Sequence, residues 1–363
     1  MVKINNDPFL SSDLNRVNSR RVLEQIILKN KVNKIIKIYR NYHKRRELST
    51  ITSTRNNTDR IQENNSIINL LNNKNLNNNN SNSENKSMRS HSIIQKNNNS
   101  CIFIGKKDSL GRKEGFGIQK WEDGSKFSCI FKSDQVKGWG IFYHGDGDIY
   151  KGEYSNNITN GYGEYSRQNT ALYRGYWLND SQYGIGIETW NDNSEYNGEY
   201  NSGKKEGIGT YIWSDGTSYK GEWKNNLMIG YGIYDYGGGK TYVGMWKKNI
   251  INGYGECEYP DGKKYFGYYK SNKKSGFGIF FWPKNKYYVG FWKEGKQNGM
   301  GKFIKGKEIK YGIWKNGKKE KWFENEEEFF DELNPSDGKY FNLFKWDVDK
   351  INAFFEIEIK SNQ

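Results

Sequence analysis

The chain of 363 residues is poor in the residues from which most catalytic and metal sites are made. It has 3 histidines, 3 cysteines and 4 prolines. His43, His91 and His144 stand far apart, whereas a Ser-His-Asp or Cys-His site needs a histidine beside its nucleophile. His144-Gly145-Asp146-Gly147-Asp148 is metal-like in isolation, but Asp146-Gly147 falls at a turn that recurs along the chain, and no second ligand cluster accompanies it. Cys101, Cys129 and Cys257 form no CxxC and read as reduced structural thiols. There is no run of 18 apolar residues, so no transmembrane helix is expected. The opening MVKINNDPFLSSDLNR lacks the apolar stretch of a secretory signal, and the expected location is cytoplasmic. Apolar residues are only 34%, too few for one large compact core.

What the chain does have is 41 Gly, 27 Tyr, 19 Phe and 12 Trp. So many aromatics exclude a wholly disordered chain, and so much glycine excludes a helical bundle. The net charge of +15 is uneven. Residues 1–100 carry 18 Lys/Arg against 7 Asp/Glu, and residues 101–363 carry 39 against 35. Attraction to anionic surfaces is therefore expected mainly in the first hundred residues.

After a tail over 1–15, residues 16–48 read as a basic amphipathic helix. Val22, Ile26, Ile35, Ile38, Tyr39 and Tyr42 fall on one side of a 3.6-residue wheel among Arg and Lys. Ile35-Ile36-x3-Arg40-Asn41-x3-Arg45 is similar to the calmodulin-binding IQ motif, with Ile36 in place of Gln and Asn41 in place of Gly. Three readings stay open: docking on the chain's own repeats, binding of an acidic groove or anionic phospholipid, and capture of a calmodulin-like light chain through Ile35, Arg40, Arg45 and Arg46. Residues 51–100 hold 17 Asn and many Ser, and read as a disordered linker.

From residue 101 a strict 23-residue period sets in. Gly-x-Gly recurs nine times, from Gly115/Gly117 to Gly299/Gly301. In a second phase stand Tyr150-x-Gly152-x-Tyr154, Tyr173-x-Gly175-x-Trp177, Tyr196-x-Gly198-x-Tyr200, Tyr219-x-Gly221-x-Trp223, Tyr242-x-Gly244-x-Trp246, Tyr265-x-Gly267-x-Tyr269 and Tyr288-x-Gly290-x-Trp292. The copy before them reads Phe127-x-Cys129-x-Phe131. In a strand, i, i+2 and i+4 share a face, so one phase presents ring, gap, ring and the other gap, gap, ring. Paired in a hairpin, the rings of one strand cover the glycines of the other. Asn156-Asn157, Asn179-Asp180, Gly203-Lys204 and Asn225-Asn226 supply one turn. Asp123-Gly124, Asp146-Gly147, Asp215-Gly216 and Asp261-Gly262 supply the return. The predicted fold is an all-β repeat array, a single elongated antiparallel sheet of stacked hairpins extending roughly 85 Å.

This pattern resembles the MORN (membrane occupation and recognition nexus) repeat over about residues 102–316. Its departures are Cys129 in a glycine position, Asn169-Thr170 and Lys284-Asn285 in place of Asp-Gly, and Tyr311-Gly312-Ile313-Trp314, which is one residue short. The resemblance implies the elongated sheet, roles in cytoskeletal, ciliary or cortical assemblies or at the inner face of a membrane, and self-association into homodimers. The lipid-kinase and methyltransferase domains that accompany some such repeats have no counterpart of suitable size here. Beyond residue 320, Glu324 to Leu333 reads as a short acidic helix stopped by Asn334-Pro335. Residues 337–356, with Phe341, Phe344, Val348, Ile351 and Phe355 at helical spacing, read as an amphipathic cap for the open sheet edge.

No enzymatic function, cofactor or metal is expected. No Gly-x-Gly is followed by the third glycine and helix of a dinucleotide loop. Nucleic acid is not an expected partner, because the rings are committed to glycines and the repeat domain is nearly neutral. A choline-binding aromatic repeat would imply an exported protein. What remains is a surface. The middle residues of the Gly-x-Gly motifs, Phe116, Trp139, Tyr162, Ile185, Ile208, Tyr231, Tyr254, Phe277 and Met300, point away from the glycine face and form an apolar line. Either that line packs within the protein or it docks a protein partner.

Overall fold

A computed structural model of the protein describes residues 101–333 and 344–345. The expected tail, the basic helix at 16–48, the linker and all of the expected cap except Phe344 and Lys345 lie outside these residues. The described chain forms a 20-stranded sheet, from β1 (Cys101–Lys107) to β20 (Lys318–Trp322). Each strand pairs antiparallel with the next, so the whole is a meander of hairpins. One repeat shows the rule: β11 (Ser218–Lys224) and β12 (Leu227–Asp235) form a hairpin, and β13 (Thr241–Lys247) begins the next.

The register places glycine opposite glycine. Gly221 pairs with Gly232 and Gly232 with Gly244. The same column runs across the sheet from Gly105 to Gly312, broken only by Cys129. Over it lie the first rings of the aromatic motif. Tyr150, Tyr173, Tyr196, Tyr219, Tyr242, Tyr265 and Tyr288 are almost wholly buried. A Cβ on Gly163 would meet the Tyr150 ring, and one on Gly232 the Tyr219 ring, so the missing side chains are the seats of these tyrosines. Each hydroxyl donates to the carbonyl three residues along its own strand, as in Tyr219 Oη to Glu222 O, at 3.0–3.2 Å. The buried phenol is thereby satisfied.

The second rings interlock the repeats. Trp177 meets Tyr173 and the preceding Tyr150 edge-to-face, at 5.3 and 5.2 Å. The zig-zag continues through Tyr200, Trp223, Trp246, Tyr269, Trp292 and Trp314 at 4.9–5.5 Å. The indole Nε1 of Trp177, Trp223 and Trp292 donates to Gly163, Gly209 and Gly278 O at 3.1–3.4 Å. This ribbon is the core, which accounts for high aromatic content beside few aliphatics.

The first glycine of each Gly-x-Gly departs from the expectation of a second gap beneath the rings. It has positive φ in all nine copies, from +56° at Gly230 to +120° at Gly253. It sits at a bulge, where the register with the preceding strand slips, and its Cβ direction points to the opposite face. Glycine is needed there for backbone conformation, not for room under a ring.

The turns also hold more than a reversal. Residues such as Asn225-Asn226 take positive φ, the type I′ hairpin geometry. The second turn residue then reaches back one repeat. Oδ1 of Asp134, Asn157, Asp180, Asn226, Asn249 and Asn272 accepts the backbone N–H of Lys113, Val136, Thr159, Lys205, Met228 and Ile251 at 2.7–2.9 Å. At Gly203 only the backbone bond to Gln182 O, 3.0 Å, remains.

The array changes at its end. β19 (Glu308–Lys315) keeps Gly312 opposite Gly301, but its motif is a residue short, so Tyr311 turns to the outer face. There it meets Phe329 at 4.8 Å. Phe329 belongs to α1 (Glu326–Asp331), a six-residue helix capped by Asn325, whose side chain accepts from Glu328 N.

Candidate docking face

The two faces of the sheet differ in what covers them. The core face is filled by its own rings. The outer face carries the nine middle residues of Gly-x-Gly, and each stands opposite a residue of the next strand. Phe116 faces Ile130, Tyr162 faces Tyr176, Tyr254 faces Tyr268, Phe277 faces Phe291 and Met300 faces Ile313. Trp139, Ile185 and Ile208 face Glu153, Glu199 and Glu222 instead. Tyr231 faces Met245. The bulge frees an amide beside this line, and two of the glutamates take it: Glu222 Oε1 accepts Tyr231 N at 2.7 Å and Glu199 Oε1 accepts Ile208 N at 3.1 Å.

Coverage varies along the line. Phe116 and Trp139 are 52% and 54% exposed, with Ile102, Ile104 and Ile130 exposed around them. Tyr162, Ile185, Ile208 and Met300 are half-buried. Tyr254 is 37% exposed, whereas Tyr231 and Phe277 are buried. A second core explains Phe277. Ile279, Tyr287, Val289, Ile304, Phe323, Phe329 and Phe344 cluster with it on the outer face. Phe344 meets the Phe277 ring at 5.3 Å and Phe291 at 6.1 Å, and its carbonyl accepts from Lys302 Nζ at 3.0 Å. The Tyr254–Tyr268 and Tyr162–Tyr176 pairs repeat the edge-to-face geometry of Phe277–Phe291, at 5.4 and 5.9 Å against 5.6 Å.

The chain belongs to the MORN repeat family. Its model matches residues 109–126, 150–170, 173–195, 196–218, 219–241, 242–264, 265–287 and 288–307. The unmatched stretch 127–149 contains Cys129, yet its strands pair like the others. A comparison with curated proteins gives no match. Among solved structures, the chain is similar to the wild-type TCP10 domain of Danio rerio CPAP at 12% identity and a TM-score of 0.30, covering 52% of this chain and 88% of that one. It is also similar to the SAS-4 (dCPAP) TCP domain of Drosophila melanogaster, solved with a proline-rich motif of Ana2, at 12% identity and a TM-score of 0.28, covering 46% and 96%.

The remaining polar sites of this MORN sheet are local. The His144 ring packs on Phe142 at 4.5 Å, and Asp148 Oδ2 accepts from Tyr165 Oη at 2.6 Å. Neither belongs to a group of three or more metal-binding side chains among the described residues. No helix among them is long and apolar enough to cross a membrane. On the core face, Lys205 lies over the rings of Trp190, Tyr196 and Tyr211 at 4.9–5.2 Å. Burial pushes its ammonium down and pushes the nearby Glu188 carboxyl up, while each charge opposes the other's shift. Tyr200 Oη donates to Glu188 at 2.7 Å. The period hid this pair, because the place of Lys205 varies between repeats, as in Val136, Thr159, Gln182, Met228 and Lys274, and most repeats carry a ring at the place of Glu188, as in Phe142, Tyr165, Tyr211 and Tyr234.

Proposed function

We propose that the protein is a non-enzymatic scaffold whose outer sheet face binds protein partners in a cytoskeletal, ciliary or cortical assembly. The observation that carries this reading is internal: the chain already docks an aromatic residue, Phe344, on one outer-face aromatic pair. Pairs of the same geometry and the exposed Phe116–Trp139 region continue the line. A partner segment that presents aromatic or aliphatic anchors fits such a face, with few residues carrying most of the energy. A photo-crosslinking residue at Trp139 or Tyr254 of the full chain tests this. Defined protein adducts at these positions, absent from a crosslinker at the exposed turn residue Asn225, are expected. Equal yields at all three positions would refute it.

A peripheral membrane role rests on a separate observation, the 18 Lys/Arg against 7 Asp/Glu of residues 1–100. In this reading Arg40, Arg45 and Arg46 contact anionic headgroups, and the same sequence segment, with Ile35, is the place for a calmodulin-like light chain. Flotation of the full chain with vesicles containing phosphatidylserine at physiological salt, against a variant with these arginines changed to Gln, separates it from the protein-docking role.

A further inference from the structure

Three repeats beyond Lys205, at the same place in the array, stands Lys274. Its Nζ lies 4.2 Å from the Phe280 ring centre, 4.9 Å from Tyr265, 5.0 Å from Trp292 and 5.5 Å from Tyr259. Where the Lys205 site has Glu188, this one has Cys257. The cysteine is buried, and burial pushes its thiol up, so it stays neutral and supplies no counter-charge. Asp261, the acid in the adjoining turn, pairs with Lys263 at 2.6 Å. Lys240, a second cation, shares the Tyr259 ring at 6.0 Å. The half-buried amine also lines an open cleft of about 480 Å³ with Tyr259, Pro260, Asp261, Lys263 and Phe280.

We propose that Lys274 is a nucleophilic amine and the preferred acylation site of the repeat domain, taking acyl groups from thioesters or activated esters that enter this cleft. The neutral Nζ attacks the acyl carbonyl. A C–N amide bond forms, the C–S or C–O bond breaks, the thiolate or oxyanion departs with the bonding pair, and the excess amine proton passes to solvent. The product is an uncharged amide among four rings, which removes the cost of holding a cation there. The physical cause is desolvation without a paired acid, which activates lysine in other apolar pockets. Burial and the neighbouring Lys240 bring its ammonium down to about 8. About one amine in seven is then neutral at pH 7.2, against fewer than about one in a thousand for an exposed lysine. Lower basicity and partial burial consume part of that advantage, leaving about tenfold in rate.

The test is limiting sulfosuccinimidyl acetate on the full chain at pH 7.2, with acetylated lysines quantified by mass spectrometry. Lys274 is expected to react about tenfold faster than the exposed strand-end lysines Lys224, Lys247 and Lys293, and faster than Lys205. Cys257→Glu recreates the Lys205 site and is expected to bring Lys274 down to the rate of Lys205. Should that variant fail to fold, Glu188→Gln provides the reverse change, and Lys205 is expected to gain reactivity. Lys274 labelling no faster than the exposed lysines would overturn the proposal. So would labelling unmoved by Cys257→Glu in a folded variant, or Lys205 labelling unmoved by Glu188→Gln.

Discussion

The glycine column invites a perturbation that the array has already made once. At Gly152, a Cβ would stand 2.6 Å from Gly163 Cα and 2.7 Å from Tyr150 Cζ, with the Tyr150 hydroxyl closer still. Gly152→Cys must therefore displace a fully buried ring. Overpacking of this kind costs about 1–3 kcal/mol. The displaced phenol also loses its bond to Glu153 O, 3.2 Å long, and an unsatisfied buried group adds about 1–3 kcal/mol. The expected total is about 2–6 kcal/mol. Cys129 shows the relief: it occupies the equivalent place, and the ring two residues before it is Phe127, which has no hydroxyl. The Phe127 ring stands 2.9 Å from a Cβ on the facing Gly140. Tyr150→Phe combined with Gly152→Cys should then lose less than the sum of the two single changes, by about 1–2 kcal/mol. Because repeat arrays lose hairpins locally, the assay is urea unfolding followed by circular dichroism together with amide exchange at residues 149–166. Strict additivity, or a Gly152→Cys cost below about 0.5 kcal/mol, would refute the seat-of-the-ring argument.

Further outcomes follow from the same structure. Asn226→Ala removes the 2.7 Å bond to Lys205 N and should cost about 1 kcal/mol, with faster amide exchange at Lys205; Gly203→Asn should slow exchange at Gln182 by adding the missing bond. Phe277→Ser, in the second core, should cost about 3–5 kcal/mol in thermal or urea unfolding, whereas Trp139→Ser should stay within about 0.5 kcal/mol. Lys274 is held below its unfolded value, so between about pH 8 and its unfolded range near 10.5 the unfolded chain binds more protons, and stability rises with pH. Wild type should gain as much as ~2–3 kcal/mol on Lys274→Met across that window, read from urea midpoints.

Much of this architecture was legible because one period governs it. Tyr-x-Gly-x-Trp specifies the ring, the seat and the interlocking ring on one face, and the spacing of the Asp-Gly and Asn-Asn turns marks the hairpins. The role of the first glycine was not legible: Gly161 and Gly163 look alike in sequence, yet one meets a left-handed backbone and the other a ring. The turn staples were hidden because Asn226 is an ordinary turn residue until its side chain is placed against a strand one repeat away. The outer face was half legible. Alternation placed all nine middle residues there, but coverage depends on α1 and Phe344, which lie outside the period. The one-residue shortfall at Tyr311 was visible, and its consequence, a ring transferred to the second core, follows from strand parity.

The most direct test of the docking account is quantitative co-purification of the full chain with Phe116, Trp139 and Tyr254 all changed to Ser. These side chains are exposed, so melting should match the wild type. The account requires that proteins recovered with the wild type fall at least tenfold with the variant. Recovery of the same proteins in the same amounts would contradict it.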